Sequence, residues 1–204
     1  FNQTVGSAGT TTRGFQILKG NDVTLKNGTL TSTATVEGSK EVKMLIQNYA
    51  DLTLENMNLV DNTEHILYAL SNNCGSTVIT GATNITTDAV ALDVYDYTDG
   101  GYAVPTVKIE TTGKIAGKIE VSESINDNLQ ITSGTYTADV TEWCAAGYMA
   151  QQNTDGDYVV AVDLAYGKEA KVGDVYYAKY VDAIEAAEAG ATVELLADIT
   201  LVGG

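Results

Sequence analysis

Short stretches of alternating apolar and polar residues recur along this chain. Each is followed by a turn containing Asn or Gly and then by another apolar position. The first copy is Val23-Thr24-Leu25-Lys26-Asn27-Gly28-Thr29-Leu30, and the others span residues 52–59, 77–85, 107–115 and 129–136. Successive starts at 23, 52, 77, 107 and 129 give spacings of 22 to 30 residues. A period of this length marks a stacked repeat architecture. A second apolar run precedes each copy, at 15–18, 43–46, 66–70, 91–95 and 118–121. Alternation with a period of two is that of a strand, so Val23 and Leu25 point to one face and Thr24 and Lys26 to the other.

Strands of three to five residues are too short for an independent sheet. Stacked on the equivalent strands of the next repeat, they form parallel sheets that wind as a solenoid. The pattern therefore predicts an all-β chain of about five coils, each strand, loop, strand, turn, strand, with no helix inside it. Coils spaced by about 4.8 Å make a rod roughly 24 Å long. Asn27 and Asn56 occupy equivalent turns in the first two coils, where stacked amides can bond to each other. The single proline, Pro105, stands where a loop enters a strand and its missing N–H does least harm.

The repeats stop near residue 139. Trp143 and Tyr148 are expected to cover the open end. Asn153-Thr154-Asp155-Gly156-Asp157 between apolar runs reads as a hairpin turn. Residues 181–189 form the one helical pattern, ended by Gly190, and 192–201 is again strand-like. Two parts result: a β-helix with its closing hairpin over 1–163, and a strand pair, short helix and strand over 164–204.

Composition narrows the function. The 204 residues carry 27 acidic against 11 basic side chains, a formal net charge of −16. Nucleic acid and anionic membrane surfaces need clustered Lys and Arg, so neither is an expected partner. No apolar run is long enough for a membrane-spanning helix. There is one arginine, Arg13, and one histidine, His65, which removes much of the inventory of catalysis. The 27 threonines suit outward strand positions. Cys74 and Cys144 lack metal-site spacing; a disulfide and two free thiols are both open. The chain starts at Phe1 without a leader pattern, as a processed form or an excised fragment would.

The coils resemble the right-handed parallel β-helix of the pectate-lyase-like superfamily. More narrowly, the chain is similar to β-helix repeat regions of large surface proteins of anaerobic, often gut-dwelling bacteria. Two stretches carry this: Thr135-Tyr136-Thr137-Ala138-Asp139 through Glu142-Trp143-Cys144-Ala145-Ala146-Gly147-Tyr148, and Val172-Gly173-Asp174-Val175-Tyr176-Tyr177-Ala178 through Val181-Asp182-Ala183-Ile184 to Thr192-Val193-Glu194-Leu195-Leu196. The resemblance implies that the first closes a β-helix and that the second opens the next one. It also implies an extracellular or cell-surface location. Lys179 stands where such proteins carry a Thr or Ser cap, so the helix should start weakly. Since the opening module lies at the C-terminal end, residues 166–204 of one copy could cap the start of another, head to tail; a tandem neighbour in a longer array is the alternative occupant. Val181, Ile184, Val193, Leu195, Ile199 and Leu201 are the expected assembly residues.

Enzymes of this superfamily use a cationic base among carboxylates, or clustered Asp with a His-containing motif. Arg13 lies apart from any acidic cluster in sequence, and His65 reads as a corner residue. The expectation is a non-enzymatic structural or adhesive building block with no obligatory cofactor. The competing reading is a carbohydrate-binding module or a polysaccharide-lyase-like protein acting on glycans, on a host or bacterial surface. Its candidate ligand residues are Tyr95, Asp96, Tyr97, Asp99 and Tyr102, in a long loop of aromatic rings for stacking and carboxylates for hydroxyls. Asp93, Asp96 and Asp99 are the candidate calcium ligands. The alternative is an insertion loop whose tyrosines pack back on the wall. Triplets at Asn2, Asn27 and Asn84 match the glycosylation pattern, as random runs do in an Asn- and Thr-rich chain.

Overall fold

The protein was described from a computed structural model. The structure describes residues 2–3, 12–32, 42–62 and 66–200, so His65 and Leu201 lie outside the described residues. The chain divides into two compact units, residues 1–145 with 150–161, and residues 146–149 with 162–204. No helix among the described residues is long and apolar enough to cross a membrane.

The larger unit is a parallel β-solenoid of about four turns, in a chain that is 54% strand. β1 (Asn2–Gln3) pairs with the last strand of the first row. That row is β2 (Thr12–Ile17), β3 (Asp22–Lys26) and β4 (Thr29–Ser32). The second row is β5 (Val42–Asn48), β6 (Asp51–Glu55) and β7 (Asn58–Asp61). Next come β8 (Tyr68–Asn72), β9 (Ser76–Gly81), β10 (Asn84–Val94), β11 (Thr106–Val121) and β12 (Leu129–Tyr136). β10 and β11 each run through corners: β10 pairs first with β7 and then with β8, and β11 serves three faces in succession. Each coil thus adds one strand to each of three parallel faces.

The register aligns like residues, which is why the sequence repeats. On the first face Phe15, Ile46, Leu70, Leu92 and Ile119 stack in one column. Leu25, Leu54, Ile79, Ile109 and Ile131 form the column of the second. Leu30, Leu59, Ile85, Ile115 and Tyr136 form the third. Five rungs joined by four pairings reconcile the five predicted coils with about four turns. The middle rungs of every column are fully buried, each such side chain stabilising by roughly 1.5–3 kcal/mol.

The corners bring backbones too close for larger residues. At Gly75 (φ +77°) a Cβ would lie 2.3 Å from the Ala50 carbonyl oxygen, so only glycine fits. Asn27 and Asn56 both take the left-handed conformation, and Asn56 Nδ2 donates to Asn27 Oδ1 at 3.1 Å, the expected ladder. Pro105 sits just before β11, its carbonyl accepting from Asn128 Nδ2 at 2.9 Å.

The far end is closed locally. Cys144 bridges to Ile131 in parallel, beginning one more row. Trp143 is buried there, and its Nε1 donates to Asn126 Oδ1 at 2.9 Å. The Tyr136 hydroxyl donates to the Ser133 carbonyl, and burial pushes its pKa far above the ordinary tyrosine value. β13 (Tyr148–Gln152) and β14 (Tyr158–Val162) follow, β14 pairing antiparallel with β12. Tyr148, expected to share the covering role of Trp143, belongs to the smaller unit and is half-buried. Asn153 Oδ1 accepts from the amides of Asp155 and Asp157, which shapes the turn between β13 and β14. Cys74 and Cys144 are free thiols.

The smaller unit carries a three-stranded antiparallel sheet: β15 (Ala170–Val172) lies between β16 (Val175–Tyr177) and β17 (Val193–Leu195). One helix, α1 (Tyr180–Ala186), packs on it through the fully buried Ala183. The predicted helix over 181–189 is therefore shorter than its alanine-rich pattern. Ala187 turns extended (ψ 126°), and Gly190 takes its left-handed conformation in the turn beyond. The predicted strand over 192–201 is also cut to Val193–Leu195, because its partner β15 has only three residues. Lys179 supplies no side-chain cap, as expected; instead Glu169 accepts from the Tyr180 amide at 3.0 Å and pairs with Lys179 Nζ at 2.7 Å.

Candidate functional site

The long loop between β10 and β11 leaves the solenoid wall at Tyr95. Its centre is a short 3-10 turn, Thr98–Gly100. The rings of Tyr97 and Tyr102 stack with centroids 5.3 Å apart, and Tyr95 lies 6.0 Å from Tyr97. The sequence reading missed two members. Tyr49 packs 4.8 Å from Tyr102, and Lys19 Nζ stands 5.5 Å over the same ring. Tyr49 was findable: it follows Asn48 as Tyr95 follows Val94, and those two positions lie in one column through Asn72. The four rings thus hold the loop against the wall through one another. Tyr95 and Tyr97 nevertheless stay 48% and 37% exposed.

The carboxylates of this region do not converge. Asp96 Oδ1 accepts from the Thr98 amide and hydroxyl, and Oδ2 accepts from the Ser124 hydroxyl at 2.7 Å. These bonds hold its pKa below the ordinary carboxylate value and leave it shaping the loop. Asp93 lies in the column Gln16, Gln47, Ser71, Asp93, Glu120 and accepts from Ser71 Oγ at 2.7 Å. Burial, with Glu120 nearby, pushes its pKa up to about 6 against the lowering effect of the Ser71 bond. Asp99 is exposed. Among the described residues no three His, Cys, Asp or Glu side chains gather as a metal site, so Asp93, Asp96 and Asp99 are not brought together for calcium. Arg13 takes its place in β2.

The second candidate surface belongs to the smaller unit. On a three-stranded sheet, directly paired residues share a face. Lys171, Tyr176 and Glu194 share one, with Lys171 Nζ 3.1 Å from the Glu194 carboxylate. Ala170, Val172, Val175, Tyr177, Val193 and Leu195 share the other. Ala170 is fully buried, but Val175 and Leu195 are each 56% exposed. On α1 the buried residue is Ala183. Val181 and Ile184 lie 100° or more around the helix from it and are 44% and 56% exposed. Of the expected assembly residues, Val181, Ile184 and Leu195 are thus exposed, while Val193 and Ile199 are half-buried.

Compared with protein-family models, curated sequences and solved structures, the chain matches none.

Proposed function

We propose that this protein is a non-enzymatic structural building block of a bacterial surface assembly, self-associating through its C-terminal unit. The observation that carries the reading is the uncovered apolar surface of Val175, Val181, Ile184 and Leu195 on a unit whose own sheet does not bury it. Several exposed aliphatic side chains on one small unit favour a covering partner. The solenoid suits a stalk, since each coil contacts only its neighbours and the rod lengthens without changing its cross-section. Sedimentation velocity over a rising protein concentration, with electron microscopy of the same samples, tests the reading. Growing oligomers are expected; dispersed monomers throughout overturn it.

The half-exposed rings of Tyr95 and Tyr97 support a second role, stacking on sugar rings of a surface glycan. A glycan array probed with the intact protein and with Tyr95→Ala tests it, and no hits on the intact protein sink it.

A further inference from the structure

We propose that Tyr49 and Tyr102 form an oxidative crosslinking site, their rings becoming joined by a carbon–carbon bond when the protein meets a one-electron oxidant. The inference depends on neither self-association nor glycan binding. Four phenol rings meet at one corner of the solenoid. Centroid to centroid, Tyr95 lies 6.0 Å from Tyr97, Tyr97 5.3 Å from Tyr102, and Tyr102 4.8 Å from Tyr49. Tyr49 and Tyr97 are 6.3 Å apart. The rings make a continuous path from the exposed Tyr95 to Tyr49, which is half-buried just after β5. That path joins two separate parts of the chain, since Tyr102 lies in the loop returning to β11. The bonds that tie the loop to neighbouring coils gather at its two ends. The Tyr95 amide donates to the Asn72 carbonyl, Ser124 Oγ donates to Asp96, and the Thr106 amide donates to the Gly75 carbonyl. Between those ends, Tyr97 and Tyr102 pack against Tyr49. Cys74 and Cys144 are free thiols, so no disulfide ties the loop down.

Phenol chemistry supplies the bond. Oxidation takes one electron and the phenolic proton from each ring, leaving two phenoxyl radicals with spin on the carbons ortho to oxygen. One carbon–carbon bond forms between an ortho carbon of Tyr49 and one of Tyr102. Each of those carbons then releases its hydrogen as a proton while its oxygen takes one up, which restores both phenols. The net change is the loss of two hydrogen atoms. The oxidant is a haem peroxidase turning over hydrogen peroxide: one peroxide accepts the two electrons and two protons and leaves as two waters. The exposed Tyr95 gives up the first electron, and exchange between neighbouring rings carries the vacancy inward. Coupling falls to Tyr49 and Tyr102 because theirs is the shortest of the four separations. Rings already held in contact react as one molecule, without the cost of bringing two partners together.

The test treats the full chain, at high dilution, with a haem peroxidase and limiting hydrogen peroxide. Digestion after glutamate then separates the partners: residues 42–55 contain Tyr49 as their single tyrosine, and residues 65–110 contain Tyr102. Mass spectrometry is expected to find these two peptides joined with the loss of two hydrogens, and fragmentation to place the bond at Tyr102. The blue fluorescence of dityrosine should appear at a rate per molecule that does not change with protein concentration. Tyr49→Phe and Tyr102→Phe keep the rings but not the phenols, and each is expected to abolish the joined peptide; thermal melts matching wild type establish that both fold. Unfolding the wild-type chain in urea before oxidation should also abolish it. Three results overturn the inference: no dityrosine in the wild-type protein, dityrosine only between chains at a concentration-dependent rate, or a bond confined to residues 65–110, which would place the coupling at another pair.

Discussion

Inside the solenoid, Asn48 donates through Nδ2 to Asn72 Oδ1 at 2.8 Å, one coil directly on the next. The same nitrogen reaches the Ala50 carbonyl at 2.7 Å, and Asn48 Oδ1 accepts from the Ala50 amide at 3.1 Å. Thr77 Oγ1 completes the cluster by donating to Asn72 Oδ1 at 2.8 Å. The column then changes to Val94, whose side chain offers no acceptor, and Asn72 Nδ2 is buried with no hydrogen-bond partner among the described residues. A buried amide that loses its partners costs far more than an exposed one. Asn48→Ala is therefore expected to destabilise by about 2–4 kcal/mol. Asn27→Gly, in the exposed ladder at a left-handed turn, should cost less than about 1 kcal/mol. Urea midpoints at constant slope measure both, and equal losses would refute the difference in burial as the cause.

The solenoid was legible because stacking enforces repetition. Residues such as Leu54, Ile79 and Ile109 recur in the sequence since they occupy one column in space. The corner turns at Asn27 and Asn56 were legible for the same reason. The Asn48–Asn72 pair was not, because a polar residue at the end of an apolar strand looks like the start of a loop until the rungs are aligned. The tyrosine cluster was half legible: the loop residues stood out together, but Tyr49 lies two rungs away along the wall. In the smaller unit, alanine propensity suggested a longer helix than three short strands can support. The exposure of Val181 and Ile184 was not legible, because an apolar helix stripe reads equally well as core.

Ile109→Asp is expected to prevent folding of the larger unit. Ile109 is fully buried between Ile79 and Ile131, and an ionised carboxylate there meets no partner. Thr24→Lys, at an exposed outward position in the first coil, should change stability by less than about 0.5 kcal/mol. Far-ultraviolet circular dichroism with thermal melting separates the two, and a wild-type melt for Ile109→Asp would mean that the inward and outward faces are misassigned.

Asp93 should make the protein more stable as the solution is acidified through the window between its folded and unfolded pKa values. Its folded pKa is pushed up to about 6 chiefly by burial, above the ordinary aspartate value. Between the two, the folded state holds a proton that the unfolded state has released, so stability falls as pH rises across that window. Above about 6 the whole cost of the buried charge is present. Asp93→Asn keeps an acceptor for Ser71 Oγ and removes the charge. It is expected to stabilise at pH 7 by on the order of 1–2 kcal/mol and to flatten the dependence between about pH 4 and 6. Denaturant titrations at several pH values read both effects; a variant with the wild-type slope would contradict the assignment.

Glu169 acts as a remote cap for α1, and the consequence is measurable within the smaller unit. The helix begins after Lys179, whose side chain cannot accept a hydrogen bond, so the first helical amides need an acceptor from elsewhere. The Glu169 carboxylate fills that role at the Tyr180 amide, and its pair with Lys179 Nζ orients it. The Lys179 bond first and the Tyr180 bond second hold the Glu169 pKa below the ordinary glutamate value. A carboxylate with a depressed folded pKa contributes stability that is present above the unfolded value and is lost as pH falls through the folded one. Glu169→Ala should therefore speed amide hydrogen exchange over the first turn of α1 while the solenoid core keeps its protection. In the wild-type protein the same local fraying should appear only on acidification below the ordinary glutamate range. Lys179→Ser should partly rescue Glu169→Ala, because a serine at that position can itself accept from the exposed amides. Unchanged exchange at Tyr180 to Ala183 in Glu169→Ala would show that the sheet, and not the carboxylate, holds the start of the helix.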